Sequence, residues 1–421
     1  MGEAEAWRWL EGANVAAPYG YWADGVDSGV QGGRPDLALL LSDRVATFSG
    51  LFTTNAVQAA PVRLTREIHR QGRALAVVVN SGNANAVTGE AGEADARRMQ
   101  ELTADAIGAP REWVAVASTG VIGVPMPMDR IAAGIRQLGE RLGNCRGMAA
   151  GSTPCHERAR QEGAPLAARA ILTTDTRPKT WALEVDLEGG RVRLGVMAKG
   201  SGMIHPGLAT MLVFITTDAA VEKAFLDAAL REAVDRSLHR LTVDGDQSTN
   251  DMVLAWANGA SGVAVLSAED RRRFAGALTA LLVQTARAIA ADGEGATHLL
   301  TVTVRGAASE ADAALKARRV AGSSLVKAAV YGRDPNWGRV LAAAGSVGDA
   351  FDPGNASLTM NGMPLLDHGR PLPFDEAAAA RAMEAEEVVF ELQVGDGPGA
   401  ATAWGCDLTE GYVHINAHYR T

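Results

Sequence analysis

A glycine- and proline-dense string, KGSGMIHPGLAT at 199–210, runs without a spacer into the apolar string MLVFIT at 211–216. A helix does not tolerate Gly200, Gly202, Pro206 and Gly207 at that density. The run that follows reads as a buried strand. Near its midpoint the chain must therefore leave a tight turn and enter a sheet. Thr210 stands at that junction. Breaking the Ala209–Thr210 bond gives two nearly equal pieces, 1–209 and 210–421, the second beginning with Thr210. An N-terminal threonine carries a nucleophilic hydroxyl and its own base, an α-amine titrating near about pH 8. Self-cleavage asks the Thr210 hydroxyl to attack the Ala209 carbonyl directly behind it. An N-to-O acyl shift and hydrolysis then free the amine. Such an attack needs unusual backbone geometry, which the glycines permit. Threonine entering a strand is also an ordinary β-propensity choice, so the neighbourhood rather than the residue carries this reading.

On either side of the junction, strand-like and helix-like runs alternate. Residues 37–42 and 74–80 read as buried strands, 90–107 as a helix, and 114–117 as a strand ending at STGVIG, 118–123. Residues 145–163 are rich in Gly, Arg and small side chains and read as a loop. Residues 181–187 and 191–197 flank Glu188, Gly189 and Gly190 as a hairpin. Asp218 reads as an N-cap. Val221, Phe225, Leu226, Ala229, Leu230, Ala233, Val234 and Leu238 follow at helical spacing. Ser267 with Asp270 resembles a capping box opening a helix faced by Phe274, Leu278, Leu281, Leu282 and Ile289. Residues 298–305 and 388–394 alternate as strands. Interleaving of this kind predicts an α/β or α+β layered core.

Composition excludes several classes. The formal charge of −9 argues against a nucleic-acid partner. No 18 consecutive residues are apolar, so no membrane span is expected. Residues 1–10 are acidic and lack a signal-peptide core, and a cytoplasmic protein is expected. Three cysteines, Cys145, Cys155 and Cys406, do not make a disulfide framework. The sequence has no P-loop string, no dinucleotide glycine fingerprint, no HExxH and no CxxC.

Four polar strings remain as candidates. Ser118, Thr119 and Gly120 end a strand, where a plain turn is one reading and an oxyanion hole the other. In the second, a small residue lets a backbone N–H approach the oxyanion and a neighbouring hydroxyl gives a second bond, each typically worth about 3 kcal/mol of barrier. The polar string 243–251 lacks the Gly and Glu spacing of a calcium loop and reads as a hydrogen-bonded loop near a site. Glu294 lies between two glycines in DGEGAT, 292–297, either as a solvated C-cap turn or as a partner for a substrate ammonium. Residues 331–339, with two arginines and Trp337, fit a surface loop or a site.

Nine strings occur in one order: FTTN (52–55), NSGNANA (80–86), STGVIG (118–123), TTDT (173–176), KGSGMI with ATML (199–212), DGD with STND (244–251), DGEGAT (292–297), DPNWGR (334–339) and YVHINAHYRT (412–421). From about residue 15 onward the chain resembles the ornithine acetyltransferases of arginine biosynthesis, also called glutamate N-acetyltransferases. The resemblance implies a two-lobed, self-cleaving fold with an N-terminal threonine nucleophile. An α chain, 1–209, and a β chain, 210–421, would stay together in an α2β2 assembly. It implies ping-pong transfer of acetyl from N2-acetylornithine to glutamate, with Thr210 carrying the acetyl group and Thr119 and Gly120 forming the oxyanion hole. Thr173, Lys199, Thr210, Glu294, Asn416 and Thr421 match substrate-contacting positions. An α-carboxylate suits Lys199 and the ornithine ammonium suits Glu294. Exchange of one amide for another requires no metal or cofactor, although some members also take acetyl from acetyl-CoA. The chain departs from the family at HPGL, 205–208, where APNM is usual, and at Gln247 and Met252, where threonines are common. The region 145–163 also looks longer than usual. An N-terminal-nucleophile amidase or aminopeptidase, a secondary-pathway paralogue with another acyl acceptor, and a non-catalytic descendant are the alternatives.

Overall fold

A computed structural model describes residues 6–143, 157–205 and 211–418. Among the described residues two sheets form. The first contains β1 (Trp7–Leu10), β2 (Tyr21–Val26), β3 (Leu37–Phe52), β4 (Arg73–Asn83), β5 (Val114–Val121), β6 (Lys179–Leu187), β7 (Gly190–Lys199), β8 (Leu212–Thr217) and β9 (Met252–Ala257). Its order is β1-β6-β7-β8-β9-β3-β4-β5, with β2 paired to β3 off this path. The pairs β8–β9 and β4–β5 are parallel and the others antiparallel. The long β3 joins the two halves of the sheet. Its first part pairs with β2 and β4 and its last part with β9, across a register shift between Leu41 and Ala46.

Strand periodicity places the cores. Ala38, Leu40, Val77 and Val79 face one cluster, while Leu37, Leu39, Leu41, Ala76 and Val78 face another beneath the helices Gly89–Ile107 and Met128–Leu142. A third cluster packs β6–β9 against the helices Lys223–Asp235 and Ala268–Ala291. The second of these is long and apolar enough to cross a membrane, but its face, with Phe274, Leu278, Leu281, Leu282 and Ile289, is buried in this core. Ser267 caps it, accepting a hydrogen bond from the Asp270 N–H at 3.1 Å, as its sequence predicts.

The second sheet contains β10 (Leu299–Ala307), β11 (Ser357–Met360), β12 (Met363–Asp367), β13 (Arg370–Pro371), β14 (Glu387–Gln393) and β15 (Gly399–Cys406), ordered β13-β12-β11-β14-β10-β15. It has its own core under the helix Glu310–Ala321. The bridge Leu241↔Trp404 and the loop between Ala291 and β10 tie the lobes together. The architecture is the layered α/β arrangement expected, with two lobes.

Three local expectations are corrected. Asp218 is not an N-cap. It is buried and accepts backbone N–H groups from Tyr19 at 2.9 Å and Arg193 at 2.8 Å, and the helix begins later, at Lys223. Residues 157–163 are helical rather than loop and run into the helix Ala164–Ala170; Cys145 and Cys155 lie outside the described residues. The strand at 114–117 continues through Val121.

Candidate active site

A cavity of about 310 Å³ opens where the end of β5, the end of β7, the loop 244–250, the loop 292–297 and the terminal helix Glu410–His418 converge. Thr119, Gly120, Thr173, Lys199, Glu294 and Asn416 all line it. Ala209, Thr210 and Thr421 lie outside the described residues. The flanks of residues 206–210 are described. Met211 donates its N–H to Asp251 at 2.8 Å and its carbonyl accepts from Met252 N at 3.2 Å.

The Thr119–Gly120 pair lies in the last three residues of the edge strand β5. Gly120 has φ +132°, and a Cβ there would sit 2.3 Å from the Gly82 carbonyl carbon on β4, so only glycine fits. The strand end is fixed from behind. Asn250 donates through Nδ2 to the Ser118 carbonyl at 2.8 Å and the Ala84 carbonyl at 2.7 Å. The Ser118 hydroxyl donates to Asn80 Oδ1 at 2.6 Å. Asn250 thus fixes the Ser118–Thr119 peptide, one residue ahead of the Gly120 N–H.

Lys199 ends β7 with only 1% of its surface exposed. Its ammonium donates to Thr173 Oγ1 at 2.8 Å and Thr119 Oγ1 at 3.4 Å, and lies 3.8 Å from Asp175 Oδ2. Burial lowers its pKa, and Asp175 opposes that shift. Burial alone would raise Asp175. The Lys199 and Lys179 ammoniums and the Gly200 N–H overcome it and bring the carboxyl down to about 2. Lys179, equally buried, bridges Asp175 at 2.7 Å and Asp292 at 2.5 Å. An alternating chain of charges, Lys199, Asp175, Lys179 and Asp292, thus runs under the cavity to the loop that carries Glu294.

Glu294 is buried, with its N–H on the Ser201 carbonyl at 3.0 Å and Oε2 accepting from Asn416 Nδ2 at 2.7 Å. Its carboxylate lies against Gly202, where a Cβ would come within 2.3 Å of the Glu294 Cδ. Asp407 holds the far end of the loop, accepting the Thr297 N–H at 2.8 Å. Asp244 accepts the N–H of Met203 at 2.6 Å and of Ile204 at 2.9 Å, and burial raises its pKa against those bonds. It pins Met203 at φ +56°, a left-handed conformation costing a non-glycine residue about 1–3 kcal/mol. Burial, then Asp244 and Glu294, raise the Tyr412 hydroxyl. His205 turns its Nδ1 toward Thr242 Oγ1 at 3.3 Å, and burial lowers its pKa, which favours the neutral ring at pH 7.

The loop 243–251 is at the site, as its composition predicts. The DPNWGR string is not in this cavity: Asn336 caps the helix Trp337–Gly345 and borders a separate depression on the second lobe. Lys179 and the positioning part of Asn250 were not read from the sequence. A lysine reads as exposed, and only the pairing of Lys179 with Asp175 and Asp292 marks it as interior.

Matching of the sequence to family models finds one family over residues 22–421, the ArgJ family. The chain belongs to the ArgJ family. It is 52% identical over 419 residues to the arginine biosynthesis bifunctional protein ArgJ of Symbiobacterium thermophilum, covering 98% of this chain and 100% of that protein. It is 46% identical over 434 residues to the ArgJ protein of Thermosynechococcus vestitus, covering 99% of each. A crystal structure of the ArgJ protein of Bacillus halodurans is 39% identical, with a TM-score of 0.48, over 49% of this chain and 98% of that one.

Proposed function

We propose that this chain is an acetyltransferase of arginine biosynthesis that moves acetyl from N2-acetylornithine to glutamate through an acetyl-Thr210 intermediate. The observation that carries the reading is the single cavity in which a buried lysine, a buried glutamate and a glycine-ended strand with an adjacent hydroxyl converge. Such a cavity suits an amino acid with a carboxylate and an ammonium, and a tetrahedral oxyanion between them. In this reading the chain cleaves itself at Ala209–Thr210, and Met203, six residues before Ala209, has a left-handed backbone at φ +56°. The pieces 1–209 and 210–421 remain associated and pair as α2β2 in the cytoplasm.

The Thr210 α-amine takes the hydroxyl proton as Oγ attacks the acetyl carbonyl, and returns it to the departing ornithine amine. The glutamate amine then attacks the ester carbonyl, the bond to Thr210 Oγ breaks, and the amine's proton passes through the Thr210 α-amine to the departing Oγ. Thr119 and Gly120 receive the oxyanion, while Thr173, Lys199, Glu294, Asn416 and Thr421 hold the substrate. The proposal includes acetyl-CoA as a second acetyl donor. The proposal includes no metal or resident cofactor. Incubation with acetylornithine, with and without glutamate, tests it. Acetylglutamate should form in step with ornithine. Acetate released at one rate regardless of glutamate would instead assign an amidase using water as acceptor.

A further inference from the structure

We propose that Lys199 supplies positive charge to the oxyanion hole through the Thr119 hydroxyl, and is not only an anchor for a substrate carboxylate. The inference rests on the acyl-transfer reading above. An ammonium has three N–H donors. In this structure three oxygens surround the Lys199 ammonium: Thr173 Oγ1 at 2.8 Å, Thr119 Oγ1 at 3.4 Å and Asp175 Oδ2 at 3.8 Å. The group is therefore oriented by the protein before any substrate arrives. A hydroxyl that accepts from an ammonium keeps its own O–H to donate onward, and polarisation along such a chain strengthens the outer bond.

Asp175 does not cancel the charge felt at Thr119. Its other oxygen is held by Lys179 at 2.7 Å and by the Gly200 N–H at 2.7 Å, and it stands farther from Lys199 than Thr119 does. Burial keeps water from screening the field. The long 3.4 Å contact is of the kind that tightens as charge develops on the reacting oxygen.

A donor with no carboxylate and no ammonium separates the two roles. With 4-nitrophenyl acetate, a bond forms between Thr210 Oγ and the acetyl carbon, and the hydroxyl proton passes to the Thr210 α-amine. The carbonyl oxygen holds the displaced pair as an oxyanion. Collapse restores the carbonyl and expels 4-nitrophenolate with its electron pair. The first-turnover burst of 4-nitrophenolate is measured for wild type, Lys199→Met, Thr119→Val and the double variant, with the acetyl adduct confirmed by mass.

Loss of Lys199 should slow the burst roughly 10- to 100-fold, somewhat less than removal of a direct oxyanion donor. In the Thr119→Val background the same change should add less than about twofold, because the route is already cut. A Lys199→Met burst at the wild-type rate, or losses that multiply in the double variant, overturns the inference. If Lys199→Met does not fold or cleave, Lys199→Met with Asp175→Asn, measured against Asp175→Asn alone, asks the same question with the charge pair removed together. A wild-type enzyme with neither burst nor adduct overturns the acyl-transfer reading, and this inference with it.

Discussion

Gly202→Ala tests how the cavity holds an ammonium. The new Cβ would fall 2.3 Å from Glu294 Cδ and 2.4 and 2.5 Å from its two oxygens. Those atoms are the far end of a flexible side chain, and the Glu294 backbone is separately fixed to the Ser201 carbonyl. The carboxylate should therefore swing aside rather than the fold give way. What is lost is the bond from Asn416 Nδ2 at 2.7 Å, a hydrogen bond to a charged group worth about 1.5–3 kcal/mol. Because Asn416 is exposed and the Glu294 carboxylate, though buried, faces the cavity, most of that loss is recovered and stability should fall by about 1 kcal/mol or less. Binding of the substrate ammonium should suffer more. Displacing its partner by even 1.4 kcal/mol raises KM about tenfold. Initial rates of ornithine formation, with acetylornithine varied at saturating glutamate, give KM, and a urea midpoint gives stability. An unchanged KM for acetylornithine would refute the assignment of Glu294. A collapse in stability would refute the claim that its carboxylate is free to move.

Further perturbations reach other parts of the site. Asn250→Ala leaves the buried Ser118 and Ala84 carbonyls without their 2.8 and 2.7 Å donors, and should cost about 1–3 kcal/mol in urea unfolding and slow the burst of acylation. The Asp175 carboxyl, lowered from 3.8 to about 2, contributes roughly 2 kcal/mol that is present above its ordinary pKa. That stability is lost as pH falls from 3.8 toward 2, so an acid unfolding limb in this window should be flattened in Asp175→Asn. Ser267→Ala removes the cap of the long helix and should cost about 1 kcal/mol with no change in KM, as urea unfolding and initial rates would show.

What the sequence conveys depends on how local the cause is. Strands β4 and β8 are buried on both faces, so their apolar runs are legible directly. The cap at Ser267 is legible because donor and acceptor lie three residues apart. Asp218 misleads because the same residue type that caps a helix also captures backbone groups from distant segments. Here it takes Tyr19 and Arg193, and nothing in its neighbours says so. Within the site, Thr119 with Gly120 and Glu294 between glycines are visible as strings. Their convergence is implied only by the family resemblance. The charge chain from Lys199 to Asp292 was not legible at all, since it depends on contacts such as Lys179 with Asp292, 113 residues apart.

The proposed function requires Thr210 to become a chain terminus and a nucleophile. Intact mass of the purified protein under denaturing conditions, beside Thr210→Ala, tests it most directly. Two wild-type species that divide at Ala209–Thr210 and a single uncut Thr210→Ala chain are expected. An uncut wild-type chain, or a Thr210→Ala chain cut at the same bond, would contradict it.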